Sequence, residues 1–383
     1  MTGKHIVIVR TGGSIINFES YNCQELGLAK ALTLKGIKVS LVFAASENKS
    51  LKVNYKGYEI GIYLRRFKAV NQALAWFDDI ETLLDSLEPD VLQIHEFGML
   101  MSWRVIRWAK KHNTPTCLIQ GSYRTTQKTI FKQLEQLFNH TLGKYILSNC
   151  DAIGCKTKMA ADYTADYTDK QTMLTPIGLD ISKFECTEGY DWKARLGIDN
   201  DSDILLYVGN IEQRRNPLFL IDIIECLPQA CHLVIVGDGP LKDATAEAVR
   251  QRGLDRRCTL TGKLAQEQLP SLYRQSSAFV LASDYEIFGM VILEAMYFGL
   301  PVITTSTAGS QTLIDNLSDG IIIKQKDASL WANTINNMLK DRQKLASISD
   351  KAKHKIDSSL TWDKAADKFV ALYRQAMSSH TPK

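Results

Sequence analysis

A chain of 383 residues with 45% hydrophobic content carries enough apolar material for two or three ordinary cores. Its 46 basic and 42 acidic residues leave a net charge of +4, too balanced to mark nucleic acid as a main partner, and no apolar run approaches the length of a membrane span. The eight cysteines show neither C-x-x-C pairs nor histidines at zinc spacing; most lie in apolar runs as small core residues, which suits a reducing cytoplasm.

His5 to Val9 is a short buried strand rather than part of a signal peptide. Thr11, Gly12, Gly13 and Ser14 follow it, and then a helical pattern from Ser20 to Lys35 closed by Gly36. Strand, glycine turn and helix open a Rossmann-like unit. Residues 44–70 alternate weakly and read as hairpin-like or irregular. A helix from about Trp76 to Leu87 leads into a strand at Val91 to His95. Met99 to Lys111 is helical, Cys117 to Gln120 a strand, Gln127 to Leu147 helical, and Ala152 to Cys155 a strand. Such alternation predicts one parallel sheet with helices on both faces. A second series begins with the strand Ile204 to Val208. Strands at Leu233 to Val236, Thr259 to Leu260, Ala278 to Ala282, Pro301 to Thr304 and Ile321 to Ile323 then alternate with helices, and a helix from Trp362 to Met377 closes the chain.

The stretch SDYEIFGMVILEAMYFGLP, Ser283 to Pro301, holds the densest chemistry. Glu286 stands in a loop after a strand and Gly289 opens a helix. Glu294 falls among Val291, Ile292, Leu293, Ala295 and Met296, where an ionised carboxylate needs a hydrogen-bond partner from protein or ligand. The NH groups of Phe288, Gly289 and Met290 lie where a helix N-terminus favours an anion such as phosphate. Two glutamates spaced E-x7-E, with Phe-Gly between them and Glu-Ala-Met and Gly-Leu-Pro-Val after them, resemble the donor-site signature of family-four retaining glycosyltransferases. That resemblance implies a GT-B-like α/β fold, two Rossmann-like doubly wound domains facing across a cleft. It divides the chain into an acceptor-side domain at 1–180, a donor domain at 181–360 and a C-terminal helix at 361–383 packing back toward the first domain. Pro176, Gly178 and Asp180 match its domain junction.

By the same resemblance Glu294 binds the ribose of a nucleotide diphosphate sugar, Glu286 contacts sugar hydroxyls, and Phe288, Gly289 and Met290 hold the diphosphate. Arg214 and Arg215, in the loop after Gly209, stand where the family carries a cation for the leaving diphosphate; an enzyme that uses no metal needs one there. Gly12 and Gly13 become contacts to donor phosphate or acceptor. Gly237 opens a Gly-Asp-Gly-Pro turn near the nucleotide, and Lys263 and Leu264 read the base. Ala308, Gly309 and Ser310 also come near the donor. Two positions depart from the pattern: Asn210 replaces an arginine and Gln120 a histidine, with Arg10 or Arg124 as candidates to compensate.

His95 and Glu96 end a strand and face either the acceptor or the core. The acidic run Asp199 to Asp203 reads as a solvated linker rather than a metal loop. Lys128, Phe131, Lys132, Leu134, Leu137 and Phe138 repeat at helical spacing and suit either a core face or contact with an anionic membrane. The expectation is a cytoplasmic, metal-independent, retaining transferase of polysaccharide or cell-envelope synthesis, at the inner face of the membrane where its acceptor is lipid-linked and otherwise acting on a glycan. A nucleotide-sugar epimerase of similar fold and an inactive nucleotide-sugar-binding scaffold are the alternatives.

Overall fold

The computed structural model describes residues 1–15, 23–125, 129–184 and 189–381. The expected helix onset at Ser20, Lys128 and Cys186 lie outside the described residues, as does the side chain of Phe131. The chain forms two compact units, Met1–Gly178 with Trp362–Lys383, and Leu179–Thr361.

Unit 1 is built on nine strands: β1 (His5–Val9), β2 (Lys38–Ala45), β3 (Lys49–Tyr55), β4 (Tyr58–Ala69), β5 (Ala75–Phe77), β6 (Val91–His95), β7 (Thr116–Gln120), β8 (Ala152–Cys155) and β9 (Thr172–Leu174). They run in the order β3-β4-β2-β1-β6-β7-β8-β9, with β5 beside β4. Strands β1, β2, β6, β7 and β8 are almost wholly buried runs, the pattern of a parallel sheet covered on both faces.

The sheet is mixed rather than purely parallel. Lys56 and Gly57 both take positive φ, and this two-residue turn folds β3 antiparallel onto β4. The expected helix from Trp76 is corrected too. Ala75–Phe77 alternate buried, exposed, buried and pair antiparallel with β4, so the helix begins only at Ile80. The helix expected over 127–147 runs from Thr129 to Asn149 through a π turn at Asn139–Gly143, where buried Asn139 donates from Nδ2 to Tyr163 Oη.

Unit 2 holds β10 (Asp203–Val208), β11 (Cys231–Val236), β12 (Cys258–Gly262), β13 (Ala278–Leu281), β14 (Val302–Thr305) and β15 (Ile321–Ile323), all parallel, in the order β12-β11-β10-β13-β14-β15. The chain starts mid-sheet at β10, adds strands on one side, then returns to add β13 on the other. That reversal opens a crevice at the carboxyl ends of β10 and β13. Unit 1 has the same reversal between β1 and β6.

The helix Trp362–Ser379 belongs to unit 1. It buries Trp362, Ala365, Ala366, Phe369, Leu372, Tyr373 and Ala376, spacings of three and four that place them on one face. Gly27 makes the contact possible, since a Cβ there would lie 2.1 Å from Trp362 Nε1. Farther along, Tyr373 donates to Gln93 Oε1 at 2.6 Å inside the core. Gly27→Val should therefore push the indole out of its place and cost about 1–3 kcal/mol, read as a lower urea midpoint for unit 1; an unchanged midpoint would show that this contact is not a tight one.

Candidate functional site

The loops after β10, β11, β13 and β14 come together at one edge of unit 2, backbone against backbone. Gly209 N donates to Val236 O at 3.0 Å, and Ile211 N to Asp238 O at 2.9 Å. A Cβ on Gly237 would stand 1.9 Å from Gly209 O, and one on Gly309 2.2 Å from Phe288 O. Asp284 N donates to Arg214 O at 2.8 Å and Asn216 Nδ2 to Ala282 O at 2.8 Å, joining the two loops that flank the crevice.

Glu286 lies there, buried, with Arg214 and Arg215 converging on it. Arg215 Nη1 pairs with Glu286 Oε1 and reaches Ser283 Oγ at 3.3 Å. Arg214 Nη1 donates to Tyr285 O at 2.9 Å and to Glu286 Oε1 at 3.3 Å, while its Nη2 stands 2.8 Å from Glu212 Oε1. Burial holds the Glu286 carboxyl above its ordinary value, against the downward pull of Arg215 and then Arg214. Arg215 Nε is buried and has no hydrogen-bond partner among the described residues.

Glu294 is buried in the helix Met290–Tyr297 and accepts from Tyr273 Oη at 2.9 Å, so its partner is at least partly protein. Gly289 caps that helix in the left-handed region at φ 85°, with Phe288 buried before it. Gly309 N donates to Glu286 O at 3.2 Å, which brings the start of the helix Ala308–Leu313 onto the same loop. Lys263 and Leu264 follow edge strand β12, tied in by Gly237 N donating to Gly262 O at 2.9 Å.

Unit 1 carries a second charged cluster, at its own reversal point. Glu25, buried in the first turn of the helix Gln24–Leu34, receives Arg10 Nη1 at 3.2 and 3.3 Å on its two oxygens. His95 Nδ1 lies 3.8 Å from Glu25 Oε1, and Gln93 Nε2 meets His95 Nε2 at 3.0 Å. With Gln93 donating, Nε2 accepts and the ring proton sits on Nδ1, toward Glu25. Burial drives His95 down to about 3 against the pull of Glu25. Burial alone would raise the Glu25 carboxyl, but Arg10, His95 and Lys156 bring it below the ordinary range. Lys156 Nζ reaches Gln24 Oε1 at 3.1 Å, and Glu96 accepts from the backbone NH groups of Gly121 and Ser122 at 3.0 and 3.3 Å.

Residues 190–355 match the family model described as glycosyl transferases group 1. This match spans the crevice of unit 2 and every residue of the Arg214, Arg215, Glu286 and Glu294 constellation. An uncharacterized glycosyltransferase of Methanocaldococcus jannaschii is 28% identical over 206 residues, 53% of this chain and 53% of that one. The chain thus spans about half the length of the curated relatives it matches. Among solved structures, sucrose-phosphate synthase from Thermosynechococcus elongatus superposes with a TM-score of 0.78 at 20% identity, over 98% of this chain and 100% of that one. HepE of Anabaena in complex with UDP gives 0.74 at 16% identity, over 98% and 100%. These likenesses identify the fold as GT-B, with two parallel-sheet α/β domains.

Within the group 1 region the structure brings Gly209, Arg214, Arg215, Gly237, Glu286, Phe288, Gly289, Met290 and Glu294 to the carboxyl edge of one sheet. Gly12 and Gly13 follow β1 in unit 1. Gly13 has a packing reason, because a Cβ there would meet Ala75 Cβ at 2.4 Å, whereas nothing lies within 4 Å of one on Gly12. Gln120 turns into the fold, accepting from Phe97 N at 3.2 Å and donating to Ser122 O at 3.0 Å. Among the described residues no group of three or more His, Cys, Asp or Glu side chains could hold a metal ion.

Sequence reasoning missed Glu25 and Tyr273. The rule that flagged Glu294, an acid among apolar helical neighbours, would have flagged Glu25 between Cys23 and Leu28. Nothing local marks Tyr273, which precedes Glu294 by more than one element.

His95 yields a pH test. Its folded value of about 3 lies below the ordinary 6.5, so between these values the unfolded chain binds the extra proton. Stability is full above pH 6.5 and falls as the pH drops toward 3, by about 2 kcal/mol between pH 7 and 5. Glu25 acts in the same direction lower down, its contribution being lost as the pH falls through its depressed folded value. Urea titrations of His95→Gln should show a flatter slope between pH 7 and 5; a slope equal to the wild type's would mean that the ring titrates in the fold as it does in the unfolded chain.

Proposed function

We propose that the protein transfers a sugar from a nucleotide diphosphate sugar to an acceptor hydroxyl, with retention at the anomeric carbon and without a metal ion. The observation that carries this reading is the pair of guanidinium groups converging on buried Glu286 in the β10/β13 crevice, inside the region that matches the group 1 family. A departing nucleoside diphosphate concentrates negative charge, and two arginines with fixed backbones are suited to stabilise it. In this reading Glu286 serves the sugar hydroxyls and Glu294, oriented by Tyr273, the ribose. The NH groups of Phe288, Gly289 and Met290 meet the diphosphate. Gly209 and Gly237 let the neighbouring backbone approach the donor, and Lys263 and Leu264 lie toward its base. The first unit receives the acceptor, near Gly12.

The acceptor is a glycan or a lipid-linked sugar, and polysaccharide or cell-envelope synthesis is the setting that fits. No helix among the described residues is long and apolar enough to cross a membrane. Peripheral contact is supported by the helix Thr129–Phe138, where Leu134 and Leu137 are exposed beside exposed Lys132. Vesicles containing anionic lipid should co-sediment the protein more strongly than neutral ones; equal recovery removes the membrane contact and leaves transfer untouched.

A donor-binding scaffold without turnover is the second reading, favoured by Asn210 at the position where the resemblance has an arginine. The first test is a metal-free thermal-shift panel of UDP, GDP, ADP and CMP on wild type and Glu294→Ala. UDP leads the panel because HepE was solved with it. At 100 times its dissociation constant a ligand adds about 2.7 kcal/mol, on the order of 5–10 °C here. One nucleotide should shift the wild type and not the variant. No shift with any of the four overturns the donor site, and binding without donor turnover favours the scaffold.

A further inference from the structure

Arg214 and Arg215 share one carboxylate but differ in surroundings. The Arg215 side chain is 13% exposed, set deep on Glu286 and Ser283, whereas the Arg214 side chain is 41% exposed and keeps an open edge. A long exposed side chain ordinarily samples several rotamers, and fixing it has an entropic cost. Arg214 has two hydrogen bonds and one ion pair, the ion pair being to Glu212 Oε1, a buried oxygen that accepts no hydrogen bond among the described residues. Nη1 donates to Tyr285 O at 2.9 Å and Glu286 Oε1 at 3.3 Å, and Nη2 stands 2.8 Å from Glu212 Oε1. Among the described residues Glu212 pairs with no other cation, and its own backbone is fixed on both sides. Ile211 before it is buried and bonded to Asp238 O, and Arg215 N donates to Glu212 O at 2.9 Å.

We propose that Glu212 is a positioning residue that holds the Arg214 guanidinium with its open edge available to the diphosphate of the nucleotide-sugar donor. The inference rests on the donor site proposed above and adds to it the residue that orients the exposed cation. Glu212 touches no reacting atom and acts only through Arg214. Its value lies in pre-organisation: an arginine already fixed loses less freedom when it meets its anion.

Simple electrostatics makes the opposite prediction. Two arginines and two glutamates balance, so removing the Glu212 charge leaves one net positive charge, which should tighten the binding of any anion. The isosteric variant Glu212→Gln therefore separates orientation from charge. Calorimetry would measure the affinity of wild type, Glu212→Gln, Arg214→Ala and the double variant for UDP, GDP, ADP and inorganic pyrophosphate, with UMP, GMP and AMP as probes that lack the second phosphate.

Positioning predicts that Glu212→Gln weakens the diphosphates and pyrophosphate about tenfold and leaves the matching monophosphate within twofold. The retained monophosphate also shows that the variant is folded. In the Arg214→Ala background the Glu212 substitution should add nothing. Unchanged or tighter diphosphate binding by Glu212→Gln overturns the inference while leaving the donor site standing. So does a tenfold loss that persists without Arg214. Failure of the wild type to bind any of these probes overturns the donor site itself.

Discussion

There is no room for a side chain between the loops that follow β10 and β11, or between the Phe288 backbone and the start of the helix at Ala308. Everything at the β10/β13 crevice depends on that closeness. Because the loops touch through their peptide groups, their hydrogen bonds fix Ile211, Arg214 and Asn216 relative to Asp238, Ala282 and Asp284, and the side chains between them inherit the precision. Gly237 and Gly309 are the means by which the loops bearing Arg214, Arg215 and Glu286 come within reach of one another.

The same economy governs the buried acids. Each of three buried glutamates has a different answer to desolvation: Glu286 two guanidinium groups, Glu294 a tyrosine hydroxyl, and Glu25 an arginine with a neutral histidine beside it. These answers differ in the charge they bring to the carboxylate. At Glu294 the tyrosine hydroxyl orients the carboxylate. At Glu286 the one carboxylate engages both guanidinium groups at once.

Much of this was legible in the chain. The alternation of short apolar runs with helical segments marked two doubly wound sheets, because strands buried on both faces carry a nearly continuous apolar signal. That signal failed where burial is one-sided. Trp76 and Phe77 sit at a sheet margin with one face exposed, and three residues are too few for period two to be told from the opening of a helix. Glu286, Arg214 and Arg215 stood out as charged residues in the loops after strands, and Glu294 as an acid among apolar helical neighbours. Tyr273 did not, since its meeting with Glu294 is made by tertiary packing alone.

Unit 1 is encoded in two pieces, with the whole of 179–361 lying between them. The second piece closes its core: Trp362 settles on Gly27, and Tyr373 gives its hydroxyl to Gln93 beneath His95. During synthesis from the N-terminus the first piece must therefore wait, one apolar face uncovered, until the last helix has left the ribosome. Unit 2, though begun later, is the first of the two whose residues are all present and able to fold. The order of completion reverses the order of translation, and the face around Gly27 is where a chaperone would find the nascent chain longest exposed.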